Sequence, residues 1–325
     1  MPLEIIREDI TRMQVDAIVT AANAQLEARG GVNGAIRHAA GEEMEKACRA
    51  LGGCGVGEAK ITPGFHLPCR YVIHTVGPVW RGGLLGERKK LAQCYTASLE
   101  LAKQHGVKSI AFPLISSGAY GFPPMKALHA ATDAIRDFLM ENDMQVYLVL
   151  FESKAVRAGS QLYSNIREYI DDRYAGERID ISRRERLLKS CMPMPCAVPM
   201  EKADSLEDAL KMIDESFSEM VLRLIDERGW KDSVCYKRAN IDRKHFAKIR
   251  GNKNYKPKKA TALALAIALE LPLDQTQELL MKAGFALTHS SKADIIVEYF
   301  IEHGRYDIDD INIALLDFDQ PLLGA

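Results

Sequence analysis

The sequence predicts an α/β fold: a three-layer α/β/α domain with a mixed central sheet, followed by a second, smaller all-α domain. Three observations predict it. Short Val- and Ile-rich runs alternate with runs of helical apolar spacing through the first half of the chain. A charged stretch with three prolines then breaks the pattern. Beyond it the apolar spacing is helical almost throughout. At 325 residues the chain exceeds one usual domain, and 47% apolar with 27% charged residues suits a folded globular protein.

Residues 3–7, 15–21, 59–62, 71–76, 109–114 and 145–151 read as strands, being short and rich in β-branched side chains. Between them, residues 42–51, 88–104, 124–141 and 159–174 carry apolar side chains at helical spacing. Helices alternating with strands cover both faces of a sheet, and ligands of such sheets sit beyond the carboxyl ends of the strands. The loops after Ala21, Val76 and Leu114 are therefore the places to look for chemistry. Residues 175–204 are expected to form an exposed, partly disordered linker between a first domain at 1–174 and a second at 205–325. In the second, helices are expected at 217–228, 234–239, 243–250, 259–269 and 273–283, with Asp242 as an N-cap after the turn at Ile241.

A formal net charge of −1 points by itself neither to nucleic acid nor to a membrane. Seven cysteines are an odd number, and Cys191 and Cys196 form a single C-x4-C pair with no second pair to close a zinc site. Reduced thiols in a cytoplasmic protein are expected, with no metal and no membrane partner. The start of the chain lacks the pattern of a secretion signal, and no apolar run approaches the ~18 residues of a membrane span.

Two loops carry the chemistry. After the second strand come Gly30 and Gly31, Val32, Asn33 and Gly34, where glycines let a backbone approach a ligand closely. The helix-like run from Gly34 to Gly41 offers N–H groups and a positive dipole end to an anion. After the fifth strand, Ser116, Ser117, Gly118, Ala119, Tyr120 and Gly121 form a second small-residue turn leading into a helix. Its backbone N–H groups suit a second phosphate, with Tyr120 along a sugar. Two such loops at one sheet edge suit a diphosphate better than a single phosphate.

Six motifs in order now identify a resemblance over about residues 3–174. They are Asp9 to Thr11, Val15 to Asn23, Gly30 to Ile36 with Ala39 to Gly41, Gly57 to Thr62, Tyr71 to Pro78, and Ile115 to Pro123. Together they resemble the macrodomain family, which implies an α/β/α domain whose cleft takes ADP-ribose without a further cofactor. By that resemblance Asp9 accepts from the adenine amino group with Ile10 beside it, and Phe151 packs on the adenine. Gly30, Gly31, Val32 and Gly34 hold one side of the diphosphate, and Ser116, Ser117, Gly118, Ala119, Tyr120 and Gly121 the other. Asn23 faces the distal ribose with Tyr120 packed over it, and Ala22 is a further candidate ligand contact. Asp9 equally fits a turn cap, Phe151 a core aromatic, and His74 a packed, hydrogen-bonded histidine.

One departure bears on catalysis. Hydrolytic relatives keep an asparagine where this chain has Thr20, and an aspartate where it has Asn33; Asn23 is retained. Asn23 and Asn33 remain the candidate catalytic pair, but an amide is no useful proton acceptor near neutral pH, and losing a general base costs ~10²–10⁴-fold. The substrate's own diphosphate can activate water instead, or Glu27, His38 or Glu58 can. No lysine stands just before the glycine loop to support a covalent mechanism. Three functions stay open, the first two being hydrolysis of mono-ADP-ribosyl or O-acetyl-ADP-ribose linkages on an ADP-ribosylated substrate, and non-catalytic reading of ADP-ribose. A regulator that binds another nucleotide is the third.

The second domain resembles repressor-like helix-turn-helix folds. Between Trp230 and Ala260 eleven Lys and Arg stand against two Asp. Arg243, Lys244, Lys248 and Arg250 are candidate nucleic-acid contacts, with DNA or a protein as partner. The tail from Ala293 to Ala325 is the reverse, with eight acids against one Arg. Its apolar spacing predicts a helical cap that masks the basic face or mediates dimerisation.

Overall fold

Alternate facing of side chains along strands buried on both faces sorts the first half of the molecule into layers. The computed structural model describes residues 3–27, 30–150, 166, 169 and 215–324. Strands β1 (Leu3–Ile6), β2 (Ala17–Ala21), β3 (Ala59–Pro63), β4 (Tyr71–Thr75), β5 (Ser109–Pro113) and β6 (Gln145–Val149) form one sheet in the order β1-β6-β5-β2-β4-β3. Every pairing is parallel except β3 with β4, so the sheet is mixed. Ala17, Val19, Ile73, Ile110 and Phe112 face helices α3 (Glu87–Gln104) and α4 (Pro124–Glu141), through Leu91, Leu99, Ala127 and Ile135. Their neighbours Ile18, Val72 and Ala111 face the opposite side. There Ile36, Ala40, Met44 and Cys48 of α1 (Gly31–Ala40) and α2 (Glu42–Ala50) cover them. Alternation along a pleated strand thus produces the three layers.

The expected strands overshoot at their carboxyl ends. Leu114 and Leu150 continue the apolar run but leave the sheet to line a cleft. The predicted helix at 159–174 is described only at Ile166 and Tyr169, both helical, while the linker, Phe151, Cys191 and Cys196 lie outside the described residues. Cys48, Cys54, Cys69, Cys94 and Cys235 are free thiols.

The second half is helical: α5 (Phe217–Glu227), α6 (Asp232–Arg238), α7 (Arg243–Gly251), α8 (Lys259–Ala268), α9 (Leu273–Lys282), α10 (Lys292–Glu302) and α11 (Ile308–Asp317). Ser216 and Glu219 form a reciprocal capping box at the start of α5, and Asp242 caps α7 through the Lys244 N–H. Helix α8 is apolar nearly all round and buried from Thr261 to Ala268, with α6, α9 and α11 packed against it. Among the described residues no helix is long and apolar enough to cross a membrane.

The acidic tail forms two helices, and its carboxylates answer the first half of the chain as well as the basic segment. Arg136 of α4 donates two hydrogen bonds of 2.6 Å to Asp307 and a third to buried Asp309. His129 lies 3.2 Å from Asp310, and Arg7 donates to Asp319 at 2.6 Å. From the basic segment, Lys259 reaches buried Asp294 at 2.5 Å. On the outer edge of β1, Leu3 donates to Asn240 Oδ1 at 2.8 Å, and Asn240 Nδ2 donates back to the Leu3 carbonyl at 2.7 Å. A side-chain amide thereby closes the strand edge as a neighbouring strand would.

Candidate functional site

The cleft lies beyond the carboxyl ends of β2, β5 and β6, where two adjoining cavities of about 530 and 550 Å³ share Gly31, Val32, Pro113, Leu114, Ser117 and Gly118. Asp9, Ile10 and Thr11 line the first, together with Val149 and Leu150. Ala22, Asn23, Gly30, Asn33, Ser116, Ala119, Tyr120 and Gly77 line the second. Most residues expected at a ligand site are therefore brought together. Gly34 and Gly121 do not line it. Helix α1 starts at Gly31, three residues before the expected Gly34, which places Gly34 in its first turn. Gly121 closes the second loop from behind at φ 66°, its N–H on the Gly118 carbonyl at 2.9 Å.

Each side of the cleft offers donors. Gly30 supplies no side-chain cap and the first turn of α1 holds no acid, so its leading N–H groups have no capping partner among the described residues. Across from it, the N–H groups of Ser117, Gly118, Ala119 and Tyr120 have no partner among the described residues. The loop holding them is braced: Phe122 N–H donates to Ser116 O at 3.0 Å, and Trp80 N–H to Tyr120 O at 2.9 Å. Asn23 accepts the Glu27 N–H on Oδ1 at 2.8 Å, but its buried Nδ2 has no partner among the described residues. The buried Ser116 Oγ and Thr20 Oγ1 have none among the described residues either. Unpaired buried polar atoms are rare in folded proteins, and three of them cluster at this edge of the sheet.

Asp9 serves two roles at once. Its Oδ1 caps the short 3-10 turn Ile10–Arg12, accepting from Thr11 Oγ1 at 2.7 Å and Thr11 N–H at 3.0 Å. These bonds hold its carboxyl below the usual carboxylate range. Oδ2 lies 3.8 Å from Arg12 Nε, and Asp9 as a residue lines the first cavity.

Asn33 is buried and turned inward. Its Oδ1 accepts Arg37 Nε at 2.9 Å and its Nδ2 donates to the Glu27 carbonyl at 3.4 Å. Of the carboxylates and histidine weighed as substitutes, Glu27, His38 and Glu58 line neither cavity. Sequence reasoning missed Arg37, Gly77, Thr11, Ala35, Pro113, Leu114, Val149 and Leu150. Gly77-Pro78 was its one available turn signal; Arg37 reads as an ordinary solvated helix cation.

His74 is packed rather than catalytic in setting: fully buried, with Thr62 Oγ1 2.9 Å from Nε2 and Cys48 Sγ 3.8 Å away. Burial first, and the Arg37 charge second, push it from 6.5 down to about 4. The unfolded chain therefore takes up this proton before the folded one. Stability present above pH 6.5 is lost as pH falls toward 4, by up to ~3 kcal/mol. Melting temperatures across that interval should fall for the native chain and flatten in His74→Gln; parallel curves would sink the assignment.

On α7, Arg243, Lys244 and Lys248 are exposed and form no ion pair among the described residues, whereas Arg250 is held by Asp232. The preceding turn is not open: Asn240 and Ile241 are buried, and Asn240 is spent on β1. Among the described residues no group of three or more His, Cys, Asp or Glu is placed to hold a metal ion.

Comparison with known proteins places this cleft in context. Residues 19–131 match the Macro domain family model. A macro domain-containing protein of Ralstonia nicotianae is 59% identical over 135 residues, 42% of this chain and 79% of that protein. One of Methanosarcina mazei is 49% identical over 166 residues, 50% of this chain and 89% of that protein. The ADP-ribose glycohydrolase MACROD2 of Homo sapiens is 49% identical over 150 residues, 46% of this chain and 35% of that protein. Among solved structures, the Oceanobacillus iheyensis macrodomain with ADP is 43% identical, covers 47% of this chain and 85% of that one, and has a TM-score of 0.46.

Proposed function

The chain belongs to the macro domain family, and from that premise we propose that it binds ADP-ribose and hydrolyses its bond to a modified protein side chain or an acetyl group. The observation that carries the reading is the set of donors lining one cleft from two sides without partners among the described residues: the first turn of α1, the N–H groups of Ser117 to Tyr120, and Asn23 Nδ2. Such an array suits a diphosphate between the loops, with a ribose beyond it at Asn23 and Tyr120. The adenine then falls between Asp9 and the apolar wall of Ile10, Val149 and Leu150.

Chemistry follows from what the distal end holds. Asn23 Nδ2 orients a ribose hydroxyl or the attacking water, and no carboxylate lines that cavity. The substrate's own diphosphate is then the base for a protein-linked ester: water attacks the anomeric carbon, its proton passes to a phosphate oxygen, and the side-chain carboxylate leaves with the bonding electrons. The engagement of Asn33 by Arg37 favours a second reading, a slow or non-catalytic reader. The helical half adds the exposed cations of α7, which suit phosphate or an acidic protein. Its turn, however, is already occupied by β1.

Incubation with a mono-ADP-ribosylated protein separates the readings. Release of ADP-ribose is expected, with Asn23→Ala slowing it by ~10²-fold, the cost usual for a lost polarising donor. Tight ADP-ribose binding without release would leave the reader.

A further inference from the structure

We propose that Arg37 is a positioning residue for the cleft, and that its charge, lacking a carboxylate partner among the described residues, is completed by the anionic ligand. The proposal rests on the ADP-ribose reading for the identity of that ligand, not for the geometry. Arg37 is 5% exposed, on the inner face of α1. Nε donates to Asn33 Oδ1 at 2.9 Å, and Nη2 donates to the Leu26 carbonyl at 2.5 Å. Both acceptors are neutral. Among the described residues no carboxylate pairs with it, and the titratable groups that feel its charge, Cys48 and His74, are not anions.

One guanidinium therefore spans the two segments that form the ribose end of the cleft. On one side it holds Asn33, which lines the cavity. On the other it holds Leu26, whose φ of 55° is a left-handed conformation that a branched side chain adopts at a cost. Leu26 N–H returns to the Asn23 carbonyl at 3.0 Å, and Glu27 N–H to Asn23 Oδ1 at 2.8 Å. Arg37 thus sets the loop that aims the partnerless Asn23 Nδ2.

The charge argument is separate from the positioning one. A buried cation with neutral partners is costly unless an anion approaches it. A carboxylate at position 33 would neutralise it from within. With Asn33 there, the positive potential behind the first turn of α1 stays available to a phosphate group lying on that turn. The same substitution that removes a candidate base therefore sharpens the cleft for anions.

Calorimetric titration of ADP-ribose and of uncharged adenosine tests this, because only the first carries the diphosphate. Arg37→Met is expected to weaken ADP-ribose by about 30-fold and adenosine by less than about threefold. Arg37→Lys, which keeps the charge, should restore the ratio of the two affinities while hydrolysis stays slow at saturating substrate. Equal losses for both ligands, or no rescue of the ratio by lysine, would overturn the proposal. If Arg37→Met does not fold, Asn33→Asp decides: the ratio should fall about tenfold, and an unchanged ratio overturns it. Should the native chain bind no ADP-ribose, the functional reading fails on its own. Inorganic pyrophosphate then serves as probe: it should raise the melting temperature of the native chain more than that of Asn33→Asp, and equal shifts would overturn the proposal.

Discussion

Gly77→Ala is expected to reduce ADP-ribose affinity by ~10²-fold, the usual consequence of moving a binding group by about 1 Å. A Cβ at Gly77 would stand 2.1 Å from Ser116 Oγ and 2.8 Å from Ile115 Cγ2. The serine hydroxyl can rotate away, but the isoleucine methyl is buried in the core beneath α3 and α4 and has no free volume. Ser116 already sits at φ 65°, so the backbone there has little room to adjust without leaving its strained turn. The relief left is a shift of the whole second loop, and with it the N–H groups of Ser117 to Tyr120. Overpacking of this size costs ~1–3 kcal/mol of stability. The double variant Gly77→Ala with Ser116→Ala removes the closest clash and should recover part of the affinity. An alanine at 77 that binds like glycine would show that this loop does not hold the ligand.

The other large effect lies away from the cleft. Arg136→Ala should destabilise the protein by ~3 kcal/mol, because it strands a buried carboxylate. Asp309 is wholly buried beside that guanidinium, and burial holds its carboxyl up at about 6 even with the cation present. Without Arg136 its charged form is harder still to keep, so the proton is bound more tightly by the folded chain than by the unfolded one. The variant should accordingly be least stable above neutral pH and regain stability as pH falls through that region, where Asp309 becomes neutral. The 3.2 Å contact of His129 with Asp310 adds in the same direction, since the acid raises the histidine. Chemical denaturation at pH 8 and pH 5 measures both. Equal losses at the two pH values would mean Asp309 does not carry the effect, and Asp309→Asn in the Arg136→Ala background should abolish the difference.

Much of the fold was legible because it is written at short range. Short runs rich in Val and Ile marked the strands, and Asp242 marked the start of α7. The paired glycines at 30 and 31 and the run from Ser116 to Gly121 marked the two loops of the cleft. What stayed hidden depends on contacts across the chain. Leu114 and Leu150 look like the last residues of strands, and only the sheet's edge shows that they become a wall. Arg37 looks like a solvated cation until Leu26 and Asn33 are brought to it. Nothing local distinguishes Arg136 from its neighbours on α4, since its partners lie 171 and 173 residues away. The acidic tail was legible as a helical cap, but a charge balance cannot tell which cations it will meet.

The amide of Asn240 against Leu3 also sets a timetable. Leu3 leaves the ribosome 237 residues before the side chain that closes its strand edge. At usual synthesis speeds that interval is about 10–50 s. During it the nascent first half displays an open strand to whatever is nearby, a chaperone or a second nascent chain. Slow codons placed before Asn240 should then lower the soluble yield, while the same codons placed after it should not.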